Sequence, residues 1–405
     1  MNILVVSQHF YPEQFRINDL CYSLAKRGHK VTVLTGLPNY PKGKIFKGYR
    51  WFRNRTQIVN NVTIKRCSLV GRGNGIIRLG INYIWFAISA SIKALFMKKD
   101  FDLIYVYQTS PITMAWPAIV MKKLAKRPLI IHCLDQWPIS VATGPIKKDG
   151  ILYKLLYKIS KATYNKADLI TISSKSFKKY FENELQIKDK GLMYYPSYAE
   201  RAYEGIKHIE NEIFDFVFAG NIGPAQSVET IIKAANLLKD NNKIKFHIVG
   251  DGLSKEACKK MAEELNLDNV IFYDFRPVEE VKEFYEIADA FIITMVDNEV
   301  VNATLPAKLQ SYMLAKRPIV GAINGEVKEV IEEATCGLCC KSLDYAAFAK
   351  ILLKMYNSKR EQLEEWSNNS YKYYQTNYEK EKCLDDIEEI FKSVSKNYKK
   401  GRKKI

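Results

Sequence analysis

Several things are scarce in this 405-residue chain, and each scarcity excludes a class of function. There are five histidines, and none lies near the only cysteine cluster, Cys336, Cys339 and Cys340. No second cysteine pair matches that cluster, so the ligand spacing of a zinc site is missing. The remaining cysteines are scattered through apolar segments, as reduced core thiols are, which points to a reducing, cytoplasmic setting. Long apolar runs are also absent. The most apolar stretch, residues 76–97 (IIRLGINYIWFAISASIKALFM), is free of charge for only 14 residues, from Leu79 to Ile92. A membrane crossing needs roughly 20. No basic leader precedes Ile3-Leu4-Val5-Val6, so a signal peptide is not expected. RNA-type aromatic signatures and helix-turn-helix spacing are lacking, which counts against nucleic acid.

Acidic residues are scarce in one half only. Residues 1–200 hold 32 basic and 11 acidic side chains, a net of +21, whereas the remainder holds 30 and 33, a net of −3. The chain's overall +18 therefore belongs to its first half. Such asymmetry suggests a domain that meets a polyanion: nucleic acid, an anionic membrane or a phosphorylated acceptor. A solvated lysine-rich surface explains part of the same excess.

What is present is a repeating pattern, clearest in residues 214–290. Apolar runs at residues 214–219, 244–249 and 270–273 each stop at a turn, at residues 220–223, 250–252 and 275–277. Amphipathic helical segments, residues 228–238 and 254–265, lie between them. Short apolar strands alternating with helices predict a parallel sheet covered on both faces, with ligands beyond its carboxyl edge. Glycines there let backbone N–H groups approach a ligand, and a following helix start favours phosphate. Each turn taken alone also fits an ordinary strand-to-helix connection.

Taken together, HIVGDGLSKEACKKMAEELNLDNVIFYDFRPVEEVKEFYEIADAFI resembles the nucleotide-sugar half of the retaining glycosyltransferases of family 4. The resemblance continues through LPAKLQSYMLAKRPIV and GEVKEVIEEATCGLCC and is present at the N-terminus, so it covers nearly the whole chain. It implies the α/β GT-B fold: two Rossmann-like domains with parallel sheets facing a central cleft, and a C-terminal helix crossing back to the first. The expected division is residues 1–195 as an acceptor-binding, membrane-facing domain, joined by the helix at about 380–397. Residues 196–212 are the linker and 213–379 the nucleotide-sugar domain.

In the N-terminal half, strands are expected at residues 3–6, 30–34, 103–107, 129–133 and 169–172. Helices are expected at 19–27, 113–126 and 151–166. The first strand-to-helix loop, SQHFYPEQFRIN, lacks the paired glycines of many relatives and offers His9, Glu13, Arg16 and Asn18. These read either as acceptor contacts or as plain loop residues. YPEQFRINDL with TGLPNYPKGK resembles the subgroup that builds capsule and O-antigen repeat units, including N-acetylfucosamine transferases. That likeness adds Asn39 and Tyr40 to the acceptor site. Residues 76–97 read either as a helix packed on the sheet or as an amphipathic helix in a membrane interface. Arg78, Asn82, Ser89 and Lys93 fall on one face, and flanking basic residues favour anionic lipid. HCLDQWPISV resembles an Asp-x-Trp-Pro of capsule-type relatives, which makes Asp135 the acid facing the acceptor hydroxyl, beside His132 and Trp137. An Asp capping the next turn is the plainer alternative.

In the C-terminal half, many relatives carry two glutamates eight positions apart. Here Ala303 and Ser311 stand in their places. Lys308, in the first turn of a helix after Pro306, is the leading catalytic residue, since a cation at a helix start stabilises charge developing on a leaving diphosphate. Arg276 is the second cation. The resemblance assigns Asn221, Gly223, Gln226, Gly250, Asp251, Gly252, Gln310, Ser311 and Glu326 to the donor. No Asp-x-Asp occupies a strand end, so no metal and no cofactor are expected. NYKKGRKKI reads as a disordered basic tail. The whole implies a retaining transferase acting at the inner membrane face. It would move a sugar, an N-acetylated deoxyhexosamine among the options, from a UDP-sugar to a polyprenyl-diphosphate-linked saccharide. The alternatives are a nucleotide-sugar epimerase of the same fold and an inactive, basic, peripheral membrane-binding protein.

Overall fold

In the computed structural model the described residues are 1–40, 43–50, 53–73, 75–143, 146–188, 191–199 and 201–402. They form two compact units. Residues 1–195 and 384–405 make up one, and residues 196–383 the other.

The first unit is built on an eight-stranded sheet. Its strands are β1 (Asn2–Val6), β2 (Lys30–Thr35), β3 (Thr56–Val59), β4 (Val62–Arg66), β5 (Leu103–Gln108), β6 (Leu129–Cys133), β7 (Leu169–Ile172) and β8 (Leu192–Tyr194). They lie in the order β3-β4-β2-β1-β5-β6-β7-β8, and only β3 runs antiparallel. The central strands are buried on both faces, which is why they read as continuous apolar runs. Helices α1 (Arg16–Lys26), α2 (Ile76–Leu95), α3 (Trp116–Ala125) and α4 (Ile151–Tyr164) cover the sheet. α1 starts three residues earlier than periodicity suggests, because Arg16 already opens it. The β3–β4 hairpin has no forecast above. Its two-residue turn is Asn60-Asn61, both at positive φ (48° and 63°), the geometry that a hairpin of this length requires.

The second unit holds a six-stranded, all-parallel sheet ordered β11-β10-β9-β12-β13-β14. The strands are β9 (Phe214–Ala219), β10 (Ile244–Val249), β11 (Val270–Tyr273), β12 (Ala290–Thr294), β13 (Ile319–Ala322) and β14 (Gly337–Cys340). Helices α5 (Val228–Asn236), α6 (Lys255–Glu264), α7 (Val278–Ile287), α8 (Ala307–Leu314), α9 (Glu326–Glu333), α10 (Tyr345–Tyr356) and α11 (Arg360–Asn377) surround it. Residues 196–212, read above as a linker, include a turn at Arg201–Tyr203, and Tyr203 stacks on Tyr285 with ring centroids 4.3 Å apart.

In both sheets the chain reverses its direction of winding beside the first strand. β1 has β2 on one side and β5 on the other, and β9 has β10 and β12. Such a switch point opens a crevice at the carboxyl ends of the strands.

The last helix, α12 (Lys380–Arg402), leaves the second unit and packs on the first. It is longer than expected, and residues 397–402 of the forecast disordered tail are helical; residues 403–405 lie outside the described ones. Leu384, Ile387 and Phe391, spaced i, i+3, i+7, are all buried, and Phe391 meets Tyr105 edge-on at 5.3 Å. On its flank Arg27 donates to Asp385 (2.6 Å) and His29 pairs with Glu388 (3.1 Å). Replacing Phe391 with Ala leaves a cavity under this helix, so Phe391→Ala is expected to lower unfolding free energy by about 3–5 kcal/mol. Guanidinium denaturation checks this, and an unchanged midpoint would mean that the helix docks through its rim charges instead.

Candidate active site

In the second unit the site is set by how closely two turns approach each other. Gly220 donates its N–H to Val249 O (2.9 Å), and Ile222 donates to Asp251 O (2.8 Å). A Cβ on Gly250 would lie 1.9 Å from Gly220 O, and one on Gly252 would lie 2.4 Å from Ile222 O. Both glycines have φ near +150° (145° and 155°), so backbone lies on backbone at the ends of β9 and β10. Gln226 secures the first turn: its Oε1 accepts from Asn221 Nδ2 (2.9 Å) and Gly223 N (3.2 Å), and its own carbonyl accepts from Thr294 Oγ1 at the end of β12 (2.7 Å). Asp251 caps its own turn, accepting from Gly252 N at 2.8 Å.

Lys308 lies in the first turn of α8, and its Nζ is shielded from solvent without a hydrogen-bond partner. The ammonium sits 3.6 Å from the centroid of the Phe218 ring and beside Gly220, where an added Cβ would meet Cε and Nζ at 3.1 Å. Burial lowers its pKa from the ordinary lysine value to about 7. The aromatic face opposes that shift by favouring the cation. α8 is fixed on β9 by Tyr312, whose hydroxyl accepts from Ala219 N (2.8 Å) and donates to Ala219 O (3.1 Å), and whose ring stacks on Phe291 at 4.1 Å. The result is an unpaired cation and a helix start at the switch point between β9 and β12, which is the arrangement that receives an anion.

Other donor-side expectations fare differently. Gln310 is fully buried, with its amide turned to the carbonyls of Pro306 (3.2 Å) and Ala307 (2.9 Å). Ser311 Oγ bonds back to Ala307 O at 3.5 Å. Both side chains thus bond to the first turn of their own helix. Glu326 opens α9 and is 3% exposed, and the preceding Gly325 could carry no side chain, its Cβ falling 2.0 Å from Asn302 O. Arg276 is exposed and pairs with Glu280 at 3.3 Å, four residues along its helix.

The first unit gathers its polar residues at the carboxyl edge of β1, β2, β5 and β6. Glu13 is buried; its Oε1 accepts the N–H groups of Asn39 (2.8 Å) and Tyr40 (2.7 Å), and both of its oxygens face His9 Nδ1 (3.1 and 3.2 Å). His9 stacks on Phe15 at 5.0 Å. Asn39, fully buried, accepts from Arg72 N at 3.1 Å. Asn18 Nδ2 donates to Glu13 O (2.7 Å), and Arg16 starts α1 just before it. Asp135 follows β6, where Ser110 Oγ donates to its Oδ2 and Trp137 Nε1 donates to the same Ser110 oxygen (2.8 Å). Burial raises the pKa of Asp135, and these donors oppose the rise. Sequence reasoning missed Ser110, since a serine before a proline gives no signal beyond a turn. His132 is 1% exposed, bonds Thr171 Oγ1 at 3.0 Å and packs among Tyr105, Tyr107 and Tyr195. Burial drives its pKa down to about 3, so it is neutral.

α2 runs from Ile76 to Leu95. Its polar face turns inward: Asn82 accepts from Gln8 Nε2 (2.8 Å) and donates to Val70 O (2.5 Å), and Ser89 donates to Ser68 O (2.7 Å). Its opposite side, with Ile77, Ile81, Ile84, Trp85 and Ile88, is 46–82% exposed. Among the described residues no helix is long and apolar enough to cross a membrane.

Comparison with known proteins now has a geometry to meet. WcaI of Escherichia coli K12, described as a colanic acid biosynthesis glycosyl transferase, is 23% identical over 337 residues, 77% of this chain and 81% of its own. Sucrose-phosphate synthase from Thermosynechococcus elongatus superposes with a TM-score of 0.78 at 13% identity, covering 97% of this chain and 98% of that one. HepE from Anabaena, solved in complex with UDP and glucose, gives 0.70 at 15% identity, covering 97% and 100%. At such identities the structural likeness is one of fold, two Rossmann-like sheets of the GT-B class. Residues 15–192 match the family described as Glycosyltransferase Family 4 and residues 200–373 the one described as Glycosyl transferases group 1; with these two matches end to end along it, the chain belongs to glycosyltransferase family 4.

Proposed function

We propose that this enzyme moves a sugar, with retention, from a UDP-sugar to a polyprenyl-diphosphate-linked saccharide during capsule or O-antigen synthesis. The observation that carries the donor half is the unpaired, buried ammonium of Lys308 beside Gly220. A buried cation without a counter-ion is costly in the free protein, and a diphosphate supplies the missing charge. As the sugar–oxygen bond breaks, its electron pair stays on the diphosphate. Lys308 and the start of α8 stabilise that charge as it grows. The acceptor oxygen bonds to the same face of the anomeric carbon, and its proton passes to the departing phosphate oxygen. His9, Arg16, Asn18, Asn39, Tyr40, Asp135 and Trp137 belong to the acceptor side, with Asp135 orienting the hydroxyl. UDP as carrier is supported by the HepE complex, and polysaccharide synthesis by WcaI.

The epimerase reading loses ground to the placement of the histidines. His29 pairs with Glu388, His208 with Asp289 and His247 with Asp215, all as structural contacts, and His132 lies in the core. A peripheral seat on an anionic membrane is supported by the exposed isoleucine face of α2, by Ile151, Leu152 and Leu155 of α4 (52–89% exposed), and by the net charge of +21 in residues 1–200.

UDP release from a panel of UDP-sugars, with and without a polyprenyl-diphosphate-linked acceptor, tests the transfer. Acceptor-dependent release is expected, and Lys308→Met should lower it by about 10²–10³-fold. Binding without turnover for every acceptor would instead favour the inactive-protein reading. The pH dependence of UDP affinity is a second consequence. Above about pH 7 Lys308 is neutral in the free protein, and binding an anion recruits a proton. Affinity should therefore fall as pH rises from about 7 to about 9, by up to about tenfold per unit, and be flat in Lys308→Met. Calorimetry in buffers of different ionisation enthalpy reads the proton uptake directly. For the membrane seat, Ile81→Glu with Ile88→Glu should weaken co-sedimentation with phosphatidylglycerol vesicles about tenfold or more. Undiminished sedimentation would remove α2 from that role.

A further inference from the structure

Asp135, the acid on the acceptor side, stands on two hydrogen-bonded supports. One holds its main chain. Gln108, at the end of β5 and fully buried, donates Nε2 to Asp135 O (3.0 Å), and Tyr164 of α4 donates its hydroxyl to Gln108 Oε1 (2.7 Å). Cys133 Sγ donates to the same Asp135 carbonyl at 3.4 Å. The other support holds the side chain. Ser110, in the loop after β5, donates Oγ–H to Asp135 Oδ2, and the buried Trp137 donates Nε1–H to Ser110 Oγ (2.8 Å). Chemistry gives this second chain a direction. An indole N–H can only donate and an ionised carboxylate can only accept, whereas a hydroxyl does both with a single proton. Because Trp137 donates to Ser110, the serine oxygen is the acceptor there, and its one proton is left for Asp135. The chain from Trp137 through Ser110 to Asp135 therefore suits the carboxylate form. A proton placed on Oδ2 would meet the hydrogen that Ser110 already points at it. Hydrogen bonds to a charged acceptor are the stronger kind, and each donor in a chain polarises the next.

The surroundings of Asp135 supply no charge to do this work instead. Tyr83 of α2, Tyr164 of α4 and Cys133 of β6 face it. Burial raises the pKa of all three, that of Cys133 to about 12, so each is neutral near pH 7. No cation is paired with Asp135 among the described residues. Burial disfavours its charged form, and what opposes burial is a set of neutral donors: Ser110, Ser140 in the turn that follows, and Trp137. Of these, Ser110 comes from a different strand end and is itself held by a second donor.

We propose that Ser110 is a positioning residue for the transfer: directed by the Trp137 indole, its hydroxyl fixes the Asp135 carboxylate as the hydrogen-bond acceptor for the incoming acceptor hydroxyl. This rests on the transfer reading given above, in which Asp135 orients that hydroxyl, and adds to it the residues through which Asp135 is held. It also gives Trp137 a part that needs no contact with the sugar.

Two readouts on the full chain test this. The first needs no substrate. In protein isotopically labelled at the aspartate carboxyl carbons, the NMR signal that vanishes in Asp135→Asn reports the titration of that carboxyl. Ser110→Ala should raise its midpoint by about one to two pH units, because losing a hydrogen bond to an ion disfavours the ion. Ser110→Thr keeps the hydroxyl and should restore the midpoint. Trp137→Phe keeps a ring and loses the donor, and should raise it by less. The second readout is acceptor-dependent UDP release as a function of pH, with a polyprenyl-diphosphate-linked saccharide as acceptor. Asp135 accepts from the hydroxyl only when ionised, so activity is lost as pH falls through its pKa. In Ser110→Ala the acidic limb of kcat/KM for the acceptor should move up with the NMR midpoint, and kcat on the plateau should fall about tenfold. KM for the UDP-sugar should hold, and Ser110→Thr should rescue limb and plateau together. An unmoved limb in Ser110→Ala overturns the proposal, whether or not the midpoint moves; if Asp135→Asn still abolishes the limb, the role of Asp135 itself stands. If Asp135→Asn keeps the wild-type rate and limb, Ser110 and Asp135 lose their roles together while transfer stands. If the wild type shows no acceptor-dependent release, the transfer reading falls and this role with it. Should Ser110→Ala fail to fold, Trp137→Phe carries the same two readouts, and an unmoved limb there overturns the proposal.

Discussion

The approach of one backbone turn to another at the ends of β9 and β10 governs the donor half of this enzyme. Neither Gly250 nor Gly252 has room for a single carbon, because Gly220 O and Ile222 O occupy the space. Parallel strands alone do not bring their outgoing loops together; side chains usually hold them apart. Removing the side chains lets the turns bond directly, Ile222 N to Asp251 O, and brings polar backbone to the switch point. Tyr312 then carries α8 to the same place by clasping both polar groups of Ala219. Lys308 is delivered by that clasp, and its position depends on a tyrosine that touches no ligand.

Electrostatics explains why the delivered residue is a lysine with nothing beside it. A lysine that shared its site with a carboxylate would be stable and charged in the free protein, yet a diphosphate would have to displace that partner. Leaving the ammonium shielded and unpaired lowers its proton affinity, to a pKa of about 7. The cost is borne by the empty protein and relieved when an anion arrives.

How far this was legible in the sequence depends on whether a feature is periodic or contingent. The alternation of apolar runs and helices revealed both parallel sheets, since burial on two faces leaves a plain apolar signature. The place of Lys308 in the first turn of a helix was legible because Pro306 marks the helix start two residues earlier. The β3–β4 hairpin was not, since its strands alternate weakly and Asn60-Asn61 is a less familiar form of a turn usually written with glycine. The burial of His132 was not legible, because proximity in sequence to Asp135 says nothing about which side of a strand faces the core. That Gln310 and Ser311 bond to their own helix was not legible either, since those bonds depend on rotamers. Ser110, which holds Asp135, comes together with it only through the fold.

α2 shows that periodicity groups residues on a face without saying which way that face points. Arg78, Asn82 and Ser89 do share a face, yet that face closes against the backbone of residues 68–71, where their hydrogen bonds are made. The small residues Ala87, Ala90 and Ala94, with Phe86, fill the inner side, and the isoleucines are left outside. In water this arrangement is unfavourable, at about 25 cal/mol per Å² of apolar surface left uncovered. A protein stable in solution has no reason to keep five large apolar side chains on one outward face unless something covers them. Because the helix is too short in apolar length to cross a bilayer, the cover must meet it from one side. A bilayer surface would do so, as the peripheral seat proposed above requires.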